Sequence, residues 1–217
     1  MIKTREITAK LKSLANSKNV EGMARFGINS KETLGISIPV LRKMAKEIGK
    51  DHALALELWE TGIHEARLLA GFIADPQQLT RKQMEKWVKD FDSWDVCDQV
   101  CSNLFDRTPF AYQKAKEWSE KKSEFVKRAG FVLMAALSVH DKKATDKDFL
   151  QFFPLIKKHA VDEHNFVKKA VNWALRQIGK RNPLLRRAAI KLAYEIKQMA
   201  FRSARWIAND ALRELKK

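Results

Sequence analysis

The chain has 217 residues, 45% of them hydrophobic and 31% charged, and this balance is typical of a globular protein rather than a disordered one. Its longest stretch without a charged side chain runs from Ala129 to His140, which is too short to cross a bilayer, and the N-terminus shows no secretory signal, so we expect a cytoplasmic protein. The formal net charge of +16 is uneven: residues 1–111 carry 17 basic and 15 acidic side chains, whereas residues 112–217 carry 25 and 11. This asymmetry favours a polyanionic partner such as nucleic acid.

The sequence contains no motif for a nucleotide cofactor or a metal. GxGxxG, GxxxxGK[ST] and HExxH are all absent from it. The two cysteines, Cys97 and Cys101, cannot build a disulfide framework or a four-thiolate zinc site, and we expect them to be small core residues. We therefore expect neither a cofactor nor a metal.

Sparse glycine and proline, and the absence of alternating β-branched runs, predict an all-α fold. The prolines at positions 39, 76, 109, 154 and 183 each lie near the start of an apolar-periodic stretch, where a helix tolerates proline. The tripeptide AGF recurs at 70–72 and 129–131, and the pattern NxALR recurs at 172 and 209. These spacings are typical of two-helix repeats of the HEAT or armadillo kind.

We therefore predict a single domain over 1–217, a HEAT-like or armadillo-like helical repeat solenoid that is C-shaped with a basic concave groove. Such a chain would hold about six helix pairs. The second helices of the last three pairs are predicted at 123–138, 164–180 and 201–215, and all three are basic. Because second helices line the concave side of such a stack, their Lys and Arg side chains would form the groove.

The first candidate site begins at Trp94, after Asp92 or Ser93, either of which can cap a helix. The predicted apolar stripe of this helix comprises Trp94, Cys97, Cys101, Leu104 and Phe105. Asp95, in the first turn, is assigned to the helix dipole. Asp98 follows Trp94 by four residues and lies at the edge of the buried face, where a carboxylate needs a partner. That partner is either a cation of the next helix or a positively charged group bound in the groove.

The second candidate site is Trp173, which lies outside the apolar stripe of the predicted helix 164–180. That stripe comprises Val167, Ala170, Val171, Ala174, Leu175 and Ile178. The indole is surrounded at helical spacing by Phe166, Lys169, Arg176 and Lys180. It either packs on a neighbouring helix under Lys and Arg stems or forms an aromatic platform beside a phosphate backbone. Arg128 either pairs with Glu124 on the surface or, with Arg176, clamps phosphates.

Four segments, SWDVCDQV, NFVKKAVNWALR, EFVKRAGFVL and LGISIPVLRKMAK, resemble the AlkD-like DNA alkylation repair family of HEAT-like repeat DNA glycosylases. The resemblance covers roughly residues 20–215. It implies that Asp98 is the catalytic aspartate and that Trp94 and Trp173 contact the sugar. It also implies that Arg128 and Arg176 bind phosphates, and Lys169, on the same basic face as Trp173, is assigned to the DNA backbone with them.

The resemblance further implies a glycosylase that hydrolyses the N-glycosidic bond of positively charged N-alkylated purines, such as 3-methyladenine and 7-methylguanine, in duplex DNA. The base would not be flipped into a pocket, and Asp98 would stabilise the oxocarbenium-like sugar and orient water. We expect a monomer acting on double-stranded DNA with alkylated bases. The chain departs from the family pattern at Phe26, where the family carries Tyr, and at Ser37, where it carries Gln, so that a polar contact near the DNA backbone is missing.

Two other functions fit the same sequence. The first is a non-catalytic HEAT-repeat protein that binds bent or branched DNA by shape and charge, as some members of the wider superfamily do. The second is a scaffold whose basic groove holds an acidic peptide. Membrane binding fits less well, because the basic helices use their apolar faces for repeat stacking.

Overall fold

The computed structural model describes residues 2–217. These residues form fourteen α-helices and one short 3-10 helix, with no β-strand between positions 2 and 217, which confirms the all-α prediction. The chain divides into two compact units, the first ending at Thr108 and the second spanning Pro109–Lys217. The expectation of one domain over the whole chain stays a prediction. No helix of this described part is both long and apolar enough to span a membrane.

The first unit is built around a central helix, α5. Its elements are α1 (Ile2–Ser13), α2 (Ser17–Arg25), α3 (Ile38–Ile48), α4 (His52–Glu60), α5 (His64–Ile73), α6 (Arg81–Lys89), α7 (Trp94–Asn103) and a 3-10 helix (Phe105–Arg107). Helix α5 packs against α3, α4 and α7. Its approach to α7 is close at Gly71, where a Cβ atom would lie 3.0 Å from Cγ2 of Val100.

An aromatic cluster fills the core between α4 and α6. The indoles of Trp59 and Trp87 stack with ring centroids 4.0 Å apart, and Phe91 and Phe105 extend the cluster. The Trp59 Nε1–H donates to Asp90 Oδ2 at 2.9 Å, so the one polar atom of this buried ring is hydrogen-bonded.

The second unit is a stack of helical hairpins. Its helices are α8 (Ala111–Ser119), α9 (Glu124–His140), α10 (Asp146–Leu150), α11 (Phe153–His159), α12 (Asn165–Lys180), α13 (Pro183–Lys197) and α14 (Arg202–Leu215). Helix α8 pairs with α9, α11 with α12, and α13 with α14, while α12 packs against both α9 and α14. The three predicted second helices are therefore confirmed as α9, α12 and α14.

The repeated AGF tripeptide serves two different contacts. A Cβ atom on Gly130 of α9 would lie 2.4 Å from the backbone nitrogen of Ser119, so the glycine allows α8 and α9 to touch within one hairpin. Gly71, in contrast, admits a side chain of α7, which is not the hairpin partner of α5. The recurrence marks close helix packing rather than one equivalent position.

Candidate nucleic-acid interface

Helix α7 presents Trp94 and Asp98, one helical turn apart, on its half-buried side, whereas Cys97 and Cys101 are fully buried as predicted. The predicted apolar stripe is thus correct except at Trp94, whose indole lies at the margin of the core. Ser93 occupies the N-cap position, but its side chain does not cap the helix. Its hydroxyl instead accepts the backbone N–H of Asn29 at 3.0 Å, which ties the start of α7 to the loop after α2.

The two carboxylates of α7 have different surroundings. Asp95 is buried, and its Oδ2 lies 2.8 Å from Nε2 of His64, itself buried at the start of α5. Burial alone lowers the pKa of His64, but the hydrogen bond and charge of Asp95, aided by Glu65 and Asp92, raise that pKa above its ordinary value. Asp98 is half-exposed. The assignment of Asp95 to the helix dipole therefore missed its main contact, the ion pair that joins α5 to α7.

The charge of Asp98 contributes to a raised pKa of the buried Cys101 thiol. Burial raises the pKa of Cys101 well above its usual range, and its hydrogen bond with Cys97 raises it further. The nearby carboxylates of Asp98 and Asp106 act in the same direction. Cys101 therefore remains a neutral core group, and the carboxylate of Asp98 lies near it at the edge of the core.

The loop between α2 and α3 is held by a buried carboxylate that sequence reasoning missed. Glu65 has no solvent exposure, and its Oε1 accepts the backbone N–H groups of Gly35 (2.7 Å) and Ile36 (3.2 Å). Its Oε2 accepts the N–H of Leu34 at 2.8 Å. The signal that could have indicated this contact is the apolar run that follows Glu65, since a helix buried on most sides leaves its acidic residue no route to water.

The same loop carries the two positions at which the chain departs from the family pattern. The backbone carbonyl of Phe26 accepts the indole N–H of Trp94 at 3.0 Å, while the Phe26 side chain is 76% exposed. Phe26, Ser37 and Trp94 all line one cavity of about 710 Å³, whose walls also include Met23 and Ile36. Both departures therefore change the surroundings of Trp94.

In the second unit, α12 carries Trp173, Lys169 and Arg176 on its solvent side. The predicted stripe of this helix is confirmed, since Val167, Ala170, Val171, Ala174, Leu175 and Ile178 are all fully buried. Trp173 is half-buried, and within residues 2–217 its indole makes no ring contact and no hydrogen bond. Lys169 is exposed.

The two arginines assigned to phosphates are engaged by the protein itself. Arg128 is only 5% exposed, and its Nη1 donates to the carbonyl of Phe166 at 2.6 Å, joining α9 to α12. Arg176 is half-buried and pairs through Nη1 with Glu214 of α14. Lys180 pairs with the same glutamate, so α12 and α14 are joined by charge as well as by apolar packing. Because Arg128 is buried, the interpretation that placed it in an ion pair on the surface is wrong about its exposure.

The candidate residues thus fall into two groups, Trp94 with Asp98 on α7 and Trp173 with Lys169 and Arg176 on α12. That the two groups meet at one site stays a prediction. Within the described residues 2–217, no three His, Cys, Asp or Glu side chains are grouped so that they could hold a metal ion.

Helical hairpins that pack through their second helices, with indoles and cations on the solvent side of those helices, define a HEAT-like repeat protein. A solved structure with this fold superposes on the chain with a TM-score of 0.80 at 20% identity, covering 97% of this chain and 95% of the other. It is described as a member of "a new family of proteins related to the HEAT-like repeat DNA glycosylases with affinity for branched DNA structures".

Residues 7–215 match the family described as DNA alkylation repair enzyme, and the chain therefore belongs to that family. The uncharacterized protein Lin0241 of Listeria innocua is 25% identical over 135 residues, and Lmo0209 of Listeria monocytogenes is 24% identical over 135 residues. In both alignments the match covers 60% of this chain and 60% of the relative, so it spans well under the whole length of these curated relatives.

Proposed function

We propose that the protein is a DNA glycosylase that removes positively charged N-alkylated purines, such as 3-methyladenine and 7-methylguanine, from duplex DNA. The observation that carries this proposal is the pairing on α7 of a half-exposed indole, Trp94, with a half-exposed carboxylate, Asp98, one turn later. Membership of the DNA alkylation repair enzyme family supports it. We infer also that the protein acts as a cytoplasmic monomer and needs neither a metal nor a nucleotide cofactor.

In the proposed reaction the bond between C1′ of the deoxyribose and the purine nitrogen breaks, and both bonding electrons go to the purine, neutralising its charge. Because the leaving group is already cationic, no acid has to protonate it, and the base need not be flipped into a pocket as in most enzymes that act on bases. The carboxylate of Asp98 stabilises the oxocarbenium-like sugar. It also orients a water molecule, whose oxygen attacks C1′ and whose proton passes through the carboxylate to solvent. The products are the free alkylpurine and an abasic site.

The other assigned residues would hold the DNA strand. The faces of Trp94 and Trp173 would add cation–π stabilisation to the developing positive charge. Lys169, exposed and unpaired among residues 2–217, can bind a phosphate directly. Arg176 would exchange part of its pairing with α14 for a phosphate, whereas Arg128 would act from inside the stack by holding α12 in place.

The test is base release from methylated duplex DNA, with free 3-methyladenine and 7-methylguanine quantified by mass spectrometry in the presence of a chelator. We expect Asp98→Asn to lower the rate at least about 100-fold, the scale of losing one electrostatic stabiliser of a transition state, while DNA binding persists. The matched control is Glu60→Gln, which removes one negative charge from an exposed ion pair on α4 and should leave the rate unchanged. Base release by Asp98→Asn at the wild-type rate would overturn the proposal.

A second candidate function, binding of branched DNA, is favoured by an exposed aromatic surface at the start of α14. Trp206 is 41% exposed, and Lys168 of α12 lies over its ring at 5.1 Å from the centroid. Phe201, Arg202 and Arg205 are exposed beside it along the chain. Cations around an exposed indole are suited to the stacking of unpaired bases, which occur at the branch point of a junction. The solved structure with the same fold belongs to a family described as having affinity for branched DNA structures, which agrees with this candidate.

The two candidates are separated by comparing a four-way junction with a linear duplex of the same total length and strand composition. If the aromatic surface binds unpaired bases, Trp206→Ala should weaken junction binding at least about fivefold, since stacking of one base contributes about 1–3 kcal/mol. Linear duplex binding should change less. Equal loss on both substrates, or no loss on either, would contradict the second candidate and leave the first untouched.

A further inference from the structure

The first unit contains a cleft in which four cations converge without an acidic residue among those that line it. Arg42 and Lys46 come from α3, Lys50 from the turn after α3, and Arg107 from the 3-10 helix. Phe72 of α5 and Asn103 of α7 complete the walls around a cavity of about 340 Å³. This group is called the four-cation cleft below. It is conspicuous because the first half of the chain carries almost no net charge.

Two of the four cations are held in place by the protein. The guanidinium of Arg42 lies over the Phe72 ring, 5.2 Å from its centroid, and its Nη2 donates to Gln99 Oε1 at 3.2 Å. The ammonium of Lys50 donates to the carbonyls of Phe72 (3.0 Å) and Ala74 (2.8 Å) at the end of α5. These contacts position the cations but provide no opposite charge, apart from the partial negative charge of a helix end.

The other two cations, Lys46 and Arg107, make no side-chain hydrogen bond or ion pair within residues 2–217, and both are exposed. The electrostatic cost of this arrangement is visible at Lys50, whose pKa is lowered by burial and then by the charge of Arg107. The charge of Asp75 raises the pKa of Lys50, but the Asp75 carboxylate accepts a hydrogen bond from the Gln78 amide and does not line the cleft. The cleft therefore holds an excess of positive charge that an anion would relieve.

The shape and donors of the four-cation cleft suit a tetrahedral oxyanion. Guanidinium and ammonium groups from three separate elements would surround it, and such charge-assisted hydrogen bonds are the strong ones for phosphate. The half-buried Phe72 ring, covered by Arg42, and the Asn103 amide, which donates to Gln99, complete the walls without adding charge. A mononucleotide cofactor would need a deeper apolar slot for its base than these residues provide.

The cleft also lies on the same side of the unit as the proposed reaction centre. The half-exposed residues of α7 are Trp94, Asp98, Gln99, Ser102 and Asn103, so one side of the helix contributes both to the cleft and to the candidate site. Gln99 links the two, since its side chain accepts from Arg42 and its carbonyl accepts from Asn103. Five residues of helix span about 7.5 Å, a distance that a DNA strand covers in about two nucleotides.

We propose that the four-cation cleft binds a phosphodiester group of the DNA backbone, close to the sugar at which Asp98 acts. This inference rests on the proposed function for its choice of DNA. Its role is to position the strand, and it carries no sequence information.

The experiment measures binding of an undamaged linear duplex by fluorescence anisotropy over a series of NaCl concentrations. The double variant Lys46→Ala/Arg107→Ala is compared with wild type and with Lys43→Ala, an exposed lysine of the same helix that does not line the cleft. We expect the double variant to bind more weakly and to reduce the slope of log K against log [NaCl] by about 1, the value for one lost phosphate contact. Lys43→Ala should keep the wild-type slope. An equal slope and affinity for the double variant and Lys43→Ala would overturn the proposal.

A second arm distinguishes the DNA backbone from a free anion. Inorganic phosphate is titrated into both proteins at constant ionic strength. If inorganic phosphate stabilised wild type against unfolding but did not stabilise the double variant, and both proteins bound DNA equally well, the cleft would be a site for a free anion. That result would overturn the inference. Because undamaged DNA is used throughout, a protein that binds it through the cleft but releases no base from methylated DNA would contradict the proposed glycosylase and leave this cleft standing.

Discussion

Glu65 provides the sharpest test of how the first unit holds its candidate site. This fully buried carboxylate accepts three consecutive backbone N–H groups, those of Leu34, Gly35 and Ile36. The loop that it holds also supplies the carbonyl that accepts the Trp94 indole. We expect replacement of Glu65 to destabilise the unit and to release the loop beside Trp94.

The size of the effect follows from which N–H groups stay unpaired. In Glu65→Ala, the buried N–H groups of Gly35 and Ile36 lose their acceptor, and each unpaired group costs about 1–3 kcal/mol. The part-buried N–H of Leu34 can be hydrated instead. We therefore expect a loss of about 3–4 kcal/mol for Glu65→Ala, and about 1–2 kcal/mol for Glu65→Gln, whose amide keeps one acceptor oxygen.

The assay is urea denaturation followed by circular dichroism, with the unfolding slope compared between variants to check that the same surface is exposed. Glu60→Gln is the control, because its ion pair with Lys86 is exposed and should contribute at most about 1 kcal/mol. Hydrogen exchange at Gly35 and Ile36 should accelerate in both Glu65 variants. If Glu65→Ala were no less stable than Glu60→Gln, the anchoring role of this carboxylate would be refuted.

Three further predictions concern single contacts. Asp95→Asn should lower the free energy of unfolding by about 1.5–3 kcal/mol below pH 6.5, where the His64 imidazolium stabilises the fold. The loss should shrink as the pH rises through the raised pKa of that histidine. The urea midpoints at pH 6 and pH 9 should therefore differ more in wild type than in the variant. Gly130→Ala should lower the free energy of unfolding by at least about 2 kcal/mol, because the new Cβ would lie 2.4 Å from the Ser119 backbone; an unchanged melting temperature would contradict the α8–α9 packing. Arg128→Ala should lose about 2–3 kcal/mol of stability by removing a charge-assisted hydrogen bond to a carbonyl of α12. A stable variant with a reduced salt slope in DNA binding would show instead that this arginine contacts phosphate directly.

The helices of the second unit were predictable because their signal is local. A 3.6-residue apolar period predicts the starts of α9, α12 and α14 within one residue of those observed. The six-residue stripe of α12 is buried as the period requires. The first unit was harder, since α2 contains no buried residue and so shows no stripe that belongs to a core.

In the candidate site, too, contacts within one helix could be predicted from the sequence, whereas contacts between distant residues could not. Trp94 and Asp98 are one helical turn apart, so their shared face follows from helix geometry alone. The pairing of His64 with Asp95 joins residues 31 positions apart, and Glu65 reaches a loop about 30 positions before it. Nothing in the neighbouring sequence specifies which loop a buried carboxylate meets, because that choice depends on how α5 packs against the rest of the unit.

The positions of the charged side chains in the fold bear on DNA binding more than their number does. The second half of the chain holds most of the excess charge, yet Arg128 is buried on a carbonyl and Arg176 is paired with a glutamate, so neither adds its full charge to the surface. The first half is nearly neutral, yet its acidic residues are largely used in caps, loop anchors and ion pairs, which leaves Lys46 and Arg107 facing a cleft without an acid. A polyanion responds to the local field rather than to the sum over a segment. The weakly charged half of the sequence can therefore hold a DNA contact that net charge does not predict.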